Sequence, residues 1–327
     1  MSDVMSDPAR APEPGTWVPL AVAIRSGLVE SVHFGALVVL GPDGAVELSA
    51  GDPDVVVYGR SSLKPMQASG MVRAGLELPD DELALVAASH SGEPMHVAGV
   101  RSILARHGLT EDALQNTPRY PWDDAARVAV IREGLPPRSV TADCSGKHAG
   151  MVATCVVNGW DVASYLDPDH PLQRLLRREL EELAGVPVQH TGVDGCGAPV
   201  WALSLRGLAR AFAACTTSAA GEPPRRVADA MRAHPEMVGG TGRDVTQFMQ
   251  AVPGLIAKEG AEAVYVAALP DGRTVATKIS DGGIRGAQVV LARGLERLGV
   301  PPQSLAALAT VPVLGHGRPV GEVRPID

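Results

Sequence analysis

Two stretches near opposite ends of the chain decide the predicted fold: residues 34–51 read FGALVVLGPDGAVELSAG, and residues 263–279 read AVYVAALPDGRTVATKI. Each has apolar or alternating runs on both sides of a Pro-Asp-Gly sequence, a pattern typical of a β-hairpin. A further β-like run, VPLAVAIRSG, occupies residues 18–27. Because hairpins from the two ends of a chain can share one sheet, the pattern predicts an antiparallel sheet built from both chain ends.

The sequence between the two hairpins is mainly helical by its apolar spacing. Seven segments carry apolar residues three and four positions apart, and several begin with Asp, Ser or Pro and end with Gly. They are LKPMQASGMVRAGL (63–76), PDDELALVAASH (79–90), HVAGVRSILARHG (96–108), GKHAGMVATCVVNG (146–159), LQRLLRRELEELAG (172–185), PVWALSLRGLARAFAAC (199–215) and RRVADAMRAHP (225–235). The predicted fold class is therefore α+β, with a helical middle packed over the sheet.

The composition of the 327 residues limits the function classes. Hydrophobic residues make up 45% and charged residues 20%, which is typical of a globular protein. The net charge is −8 and no run of Lys and Arg occurs, which argues against nucleic-acid or anionic-membrane partners. No stretch approaches the roughly 20 apolar residues that span a bilayer, and the N-terminus lacks a secretory pattern, so a cytoplasmic protein is predicted.

The chain is expected to form one domain over residues 17–327, preceded by a disordered leader. Residues 1–16 are rich in Pro, Asp and Ser, a composition typical of disorder. The four cysteines are too few for a disulfide scaffold, so reduced thiols are expected.

Lysine is rare in this chain. Of 29 basic residues only four are lysines, namely Lys64, Lys147, Lys258 and Lys278. A sequence that uses Arg for nearly all its cations is expected to keep Lys where a guanidinium cannot replace it. A buried amine can lose its proton and act as a base, which Arg cannot do. Survival of a surface lysine by chance is an equal alternative for any single one.

The segment YGRSSLKP at residues 58–65 joins a β-like run to a predicted helix that starts near Ser62. Pro65 fits the first turn of that helix because it has no N–H. Ser61 and Lys64 are three residues apart and so share one helix face, where a neutral Lys can take the proton of a Ser nucleophile. By itself, however, S-x-x-K more often marks an ordinary capped helix.

Four further segments carry candidate residues. Ser89 lies in ASHSGEP, where small hydroxyls beside Gly suit a proton relay or simply cap a loop. Cys144 and Cys196 each occupy a Gly-rich turn that favours a thiolate, although no CxxC pair supports zinc and buried structural thiols are the usual alternative. GGTGR at residues 239–243 is a carboxylate site or a flexible turn. Lys278, at a strand end, resembles the K-T-G element of serine acyl-transferases.

Together these segments resemble the L-asparaginase II family, also called the rhizobial inducible type. The matching stretches, in chain order, are GRSSLKPMQA, ASHSGEPMH, CSGKHAGM, GVDGCGAPVWA, MVGGTGRDVT, KEGAEAVYV and KISDGGIRG. The resemblance extends from about residue 18 to 325 and contains all four lysines. It implies a fold like the serine β-lactamases and penicillin-binding proteins, and hydrolysis of the side-chain amide of L-asparagine by a cytoplasmic homodimer.

The resemblance also assigns roles to individual residues. It implies a nucleophile at Ser61 with Lys64 beside it, and a second pair formed by Ser89 and Lys278. It implies a zinc ion with a positioning role, held by Cys144, Lys147 and Cys196. The implied substrate-binding residues are Arg60, His148, Asp194 and Arg243. One departure is Gly-Ala-Glu-Ala at residues 260–263, where the family usually has Gly-Ala-Glu-Gly.

Two alternatives remain at this stage. The first is another serine acyl-hydrolase on the same scaffold, such as a β-lactamase, an esterase or a glutaminase. The absence of an S-D-N element and the paired cysteines argue against a β-lactamase. The second is a non-catalytic zinc-binding or amino-acid-binding protein with a relic site, and the intact serines and lysines argue against it.

Overall fold

The structure, a computed structural model, describes residues 13–326. These residues form eleven strands and twelve α-helices. The strands are β1 (Val18–Arg25), β2 (Leu28–Leu40), β3 (Val46–Ala50), β4 (Val56–Tyr58), β5 (His190–Val193), β6 (Pro199–Ser204), β7 (Ile256–Gly260), β8 (Val264–Ala268), β9 (Thr274–Ile279), β10 (Val311–Gly315) and β11 (Arg318–Pro325). The helices are α1 (Lys64–Arg73), α2 (Asp80–Val86), α3 (Pro94–Arg106), α4 (Asp124–Arg132), α5 (Ser145–Asn158), α6 (Pro171–Ala184), α7 (Leu205–Thr217), α8 (Pro223–Ala233), α9 (Pro235–Val238), α10 (Asp244–Ala251), α11 (Ile284–Arg297) and α12 (Pro302–Leu305).

The main sheet combines strands from both ends of the chain. Its order is β10-β11-β1-β2-β9-β8-β7, with β3 paired to β2. The antiparallel pairing of β2 with β9, from Gly35 opposite Ile279 to Leu40 opposite Thr274, joins the two predicted hairpins. The predicted fold class, an α+β protein with an antiparallel sheet from both chain ends and a helical middle, is therefore confirmed. Of the predicted leader, residues 1–12 lie outside the described part of the chain.

The predicted helices form, with one exception. Residues 199–204, predicted as the start of a helix, form the fully buried strand β6, and the helix α7 begins at Leu205. A short continuous apolar run does not distinguish a buried strand from a buried helix, which explains the error. In the part of the chain that the structure describes, none of the helices has the length and apolar character needed to cross a membrane.

Helices cover the sheet and hold α1 at the centre of the helical layer. The helix α11 packs on β8, β9 and β11, and α7 packs on β2, β8 and β9. Because every residue of β8 is buried, both faces of the sheet are covered there. The helix α1 packs against α6 and α8, and nine of its ten residues are buried, from Lys64 to Val72. This packing carries the Lys64 amine into the protein interior.

A small second sheet, in the order β4-β6-β5, brings two distant turns together. After β4 the chain continues along β6, and the Gly59 N–H donates a hydrogen bond to the Trp201 carbonyl. Residues 60 and 61 therefore approach the turn between β5 and β6, which contains residues 194–198.

Candidate active site

Ser61 lies in a 3₁₀ turn, Arg60–Leu63, that runs directly into α1. Arg60 has a left-handed backbone with φ of 51°, which costs about 1–2 kcal/mol for a residue with a Cβ. An ion pair offsets this strain, since Arg60 Nε lies 2.8 Å from Asp194 Oδ1. The end of β7 packs closely on the turn: a Cβ on Gly260 would lie only 2.8 Å from the Gly59 carbonyl oxygen. Only glycine therefore allows β7 to approach the turn that carries Ser61.

Two lysine amines flank the hydroxyl of Ser89. Lys64 Nζ lies 3.0 Å from Ser89 Oγ and also donates to the Ala88 carbonyl. Lys258 Nζ lies 2.9 Å from the same oxygen and donates to the Glu259 carbonyl. Ser89 follows α2 and is only 3% exposed, and its N–H is fixed by the Val238 carbonyl. The three side chains form a continuous hydrogen-bonded row.

Lys258 has the electrostatic environment of a base. It lies in β7, is completely buried, and has the Glu259 carboxylate 3.0 Å from its amine. Burial lowers the pKa of Lys258 to about 8; the Glu259 carboxylate opposes the change and the nearby Lys64 charge adds to it. A fraction of the Lys258 amine is therefore neutral near neutral pH.

The serines share a cavity of about 130 Å³. Its lining consists of Arg60, Ser61, Ser89, Thr117, Arg119, Trp122, Asp143, Cys144, Asp194, Gly195, Cys196, Glu259, Gly260, Ala261 and Ile284. The volume is well below the roughly 300 Å³ at which drug-sized sites begin, so the cavity suits a small molecule. The structure thus brings together six of the predicted site residues, from the catalytic, substrate-binding and metal sets: Arg60, Ser61, Ser89, Cys144, Asp194 and Cys196.

The predicted pairing of Ser89 with Lys278 is wrong in this structure, where Lys258 takes the position beside Ser89. Lys278 Nζ instead donates to the carbonyls of Glu262 and Ile279, at the end of β9. The strand β8 separates β9 from β7, so Lys278 lies about two strand spacings, roughly 10 Å, from the strand that carries Lys258.

Two predicted substrate-binding residues lie outside the cavity lining. Arg243 Nη2 is 3.1 Å from Glu259 Oε1, and its guanidinium stacks 4.6 Å from the ring centre of Trp122. Arg243 therefore acts on the cavity through Glu259 and Trp122, both of which line it. His148 is fully buried beside the cysteines, where its Nδ1 lies 2.7 Å from the Tyr165 hydroxyl.

His90 is held as a neutral structural group beside Ser89. Its Nδ1 accepts a hydrogen bond from the Gly92 N–H, so its proton is on Nε2, which lies 2.9 Å from Ser145 Oγ. Complete burial holds the pKa of His90 well below its ordinary value, and the neighbouring His96 lowers it further. His90 thereby connects the Ser89 loop to the first residue of α5.

A thiol cluster borders the cavity at the start of α5. Cys144 precedes the helix, Lys147 and His148 lie in its first turn, and Cys196 comes from the turn between β5 and β6. Lys147 Nζ is 3.3 Å from Cys196 Sγ. A hydrogen bond from Cys144, together with the charge of Lys147, lowers the pKa of Cys196, whereas the pKa of Cys144 is raised.

The cluster has the donor atoms of a metal site. The ligand atoms of Cys144, His148 and Cys196 lie within 4.8 Å of one another and are buried. Nε2 of His148 is buried with no hydrogen-bond partner among residues 13–326, as expected for a ligand nitrogen. Thiolates and imidazole are ligands that zinc and other transition metals accept. This buried Cys-His-Cys group can hold a metal ion, and the predicted ligand Lys147 lies beside it.

Comparisons with known proteins identify related sequences and structures. The family model described as L-asparaginase II matches residues 21–325. No curated protein matches the chain significantly.

Several solved structures are similar at low sequence identity. A β-lactamase from Mycobacterium bovis is 16% identical, over 81% of this chain and 94% of that chain, with a TM-score of 0.44. Mglu in its native form with 4.3 M NaCl is 15% identical, with a TM-score of 0.43; the match covers 82% of this chain but only 62% of Mglu. A D-alanine carboxypeptidase from Burkholderia cenocepacia is 14% identical, over 80% of this chain and 93% of that chain, with a TM-score of 0.40.

Proposed function

Because this chain belongs to the L-asparaginase II family, as its motifs predict, we propose that it hydrolyses the side-chain amide of L-asparagine to L-aspartate and ammonia. The observation that carries the proposal is the row formed by Lys64, Ser89 and Lys258, with both amines within 3.0 Å of one hydroxyl, beside a small cavity that Ser61 also lines. Burial lowers the pKa of Lys258 to about 8, so its amine is available as a base.

Ser61 is the proposed nucleophile. It is half-buried in the cavity wall, and its hydroxyl has no hydrogen-bond partner in the described chain, so it can turn toward a substrate. Ser89, by contrast, is almost fully buried and held between two amines. The position of Ser61 just before α1, three residues from Lys64, suits transfer of its proton to that lysine.

The proposed reaction has two halves. Ser61 Oγ forms a bond to the amide carbon while its proton passes to the Lys64 amine, and the same proton then reaches the departing nitrogen, so that ammonia leaves. A water molecule next attacks the ester carbon while one of its protons passes to the lysine row. The row returns that proton to Ser61 Oγ as the ester bond breaks, which releases L-aspartate and restores the Ser61 hydroxyl. Ser89 transfers protons between Lys64 and Lys258, so the pair shares one basic site.

Zinc is the proposed ion of the thiol cluster, held by Cys144, His148 and Cys196 with Lys147 as a further donor. When bound, the ion would supply a fixed positive charge at the cavity wall. Cys144 and Cys196 both line the cavity, so their arrangement also shapes the substrate site. The predicted homodimer and the predicted cytoplasmic location stay predictions.

Ammonia release from L-asparagine tests the proposal. The wild-type protein should release ammonia, and Ser61→Ala should not. Ser62→Ala is the matched control, because Ser62 lies in the same turn and donates only to the Gly59 carbonyl. If the wild type hydrolyses L-glutamine or a β-lactam and not L-asparagine, the substrate assignment is wrong. If the folded wild-type protein hydrolyses none of these compounds, the alternative of a non-catalytic binding protein with a relic site is favoured.

A further inference from the structure

Two guanidinium groups converge beside Gly195 at the cavity wall. Nη2 of Arg119 lies 3.7 Å, and Nη2 of Arg60 3.9 Å, from the position that a Cβ on Gly195 would occupy. Arg60 precedes α1, Arg119 precedes α4, and Gly195 lies between β5 and β6, so three separate parts of the chain form this arrangement. Two guanidinium groups facing one small space form a geometry suited to a carboxylate.

Of these two arginines, only Arg60 has a carboxylate partner in the described residues, although Asp143 and Glu259 also line the cavity. Arg60 uses only its Nε for the contact with Asp194, so its Nη atoms remain available. The Arg119 side chain has no hydrogen-bond or ion-pair partner within residues 13–326. Two convergent cations repel each other, and binding an anion between them relieves that repulsion.

The backbone of Arg119 is fixed before any ligand arrives. Its N–H donates to the Arg138 carbonyl, and its own carbonyl accepts from the Thr141 hydroxyl. Thr117, two residues earlier, donates from Oγ1 to the Gly195 carbonyl at 2.9 Å and so ties the same segment to the turn that faces Arg119. A site whose backbone is already ordered loses less entropy on binding.

We propose that Arg119, together with Arg60, binds the α-carboxylate of the substrate and makes the enzyme selective for amides of α-amino acids. The inference rests on the proposed function, because that function puts the reacting amide at Ser61. Ser61, Arg60, Arg119 and Gly195 line the same small cavity. A substrate with its amide at Ser61 therefore has its remaining groups within this cavity, and the α-carboxylate is the anionic group of L-asparagine.

The test compares L-asparagine with 3-aminopropanamide, which differs from it only by lacking the α-carboxylate. For L-asparagine, Arg119→Met should raise KM about 10- to 100-fold, the typical effect of losing a charge-assisted hydrogen bond, with little change in kcat. For 3-aminopropanamide, followed as a substrate or as a competitive inhibitor, the same variant should behave like the wild type. Arg132→Met is the matched control, because Arg132 is exposed at the end of α4 and does not line the cavity.

Two results would overturn the inference while leaving the proposed function intact. One is an unchanged KM of Arg119→Met for L-asparagine, and the other is an equal loss for both compounds, which indicates a structural role. If Arg119→Met does not fold, Arg119→Lys tests the inference instead. This variant keeps the positive charge but cannot form the bidentate hydrogen bonds of a guanidinium, so it should raise KM for L-asparagine alone. If the wild-type protein has no asparaginase activity, the proposed function and this inference are both wrong.

Discussion

The protonation of Lys258 should set the pH dependence of asparagine hydrolysis. The reaction needs a neutral amine, so activity should rise as Lys258 loses its proton, and burial holds the pKa of Lys258 at about 8. With that pKa, about one tenth of the amine is neutral at pH 7 and about nine tenths at pH 9. We therefore expect kcat/KM to rise about tenfold between those two pH values, with a midpoint near 8.

The variant Glu259→Gln tests whether Lys258 is the group whose titration sets the pH profile. The Glu259 carboxylate lies 3.0 Å from the Lys258 amine and raises the pKa of Lys258, so removing its charge should lower that pKa. A hydrogen bond to a charged group contributes about 1.5–3 kcal/mol, which corresponds to about one to two pKa units. Because Arg243 already pairs with Glu259, we expect a shift of about one unit, from a midpoint near 8 to a midpoint near 7.

Initial rates of ammonia release, measured from about pH 6 to about pH 9.5 at constant ionic strength, give the midpoint. Glu262→Gln is the matched control. Burial lowers the pKa of Lys278 and the Glu262 carboxylate opposes that change, so this variant alters the environment of Lys278 and should leave the midpoint of the profile unchanged. A profile that is flat in the wild type, or a midpoint that moves to higher pH in Glu259→Gln, would refute Lys258 as the titrating base.

Four further outcomes are expected. Ser61→Ala should abolish ammonia release and change the free energy of urea unfolding by at most about 0.5 kcal/mol, because the Ser61 hydroxyl caps no helix; more than residual activity would exclude Ser61 as the nucleophile. Lys258→Arg should remove activity in steady-state kinetics because a guanidinium stays protonated, whereas Lys278→Arg should retain most of it; equal losses would contradict the assignment. Cys144→Ala should lose one zinc per chain by elemental analysis and raise KM; a metal-free wild type would exclude the site. Gly260→Ala should lower kcat, because its Cβ would press on the Ser61 turn; an unchanged kcat would show that the turn tolerates the displacement.

The architecture was predictable because its determinants are local. Pro42-Asp43-Gly44 and Pro270-Asp271-Gly272 each lie between two strands of the main sheet, as their flanking patterns indicate. The C-terminal hairpin of β10 and β11 was not predicted, and of the small sheet only β4, the β-like run before the Ser61 turn, was. The strand β5 has only four residues and β6 is fully buried, so alternation of apolar and polar side chains cannot identify them.

The choice between Lys258 and Lys278 depends on information that local sequence does not carry. Both are lysines in the C-terminal strands, and only the surroundings of Lys278 resemble the K-T-G element of serine acyl-transferases. In the sheet, however, Lys258 lies opposite Val266 of β8, and Lys278 lies opposite Val264 at the end of the same strand. Strand order and register therefore decide which amine reaches Ser89. The scarcity of lysine was the sequence feature that could have identified Lys258.

The site is assembled where the two sheets meet, and this explains why its parts were predictable and its pairings were not. The small sheet sets the distance between Arg60 and Asp194, which are 134 residues apart. The contact of β7 with the loop after α2 sets the distance between Ser89 and Lys258, which are 169 residues apart. The two units contact each other where Gly260 packs on the Ser61 turn. Because the groups that contact Ser89 and Arg60 come from distant segments, the chemistry of this cavity depends on how closely the sheets approach, and we expect a single methyl group at residue 260 to change it.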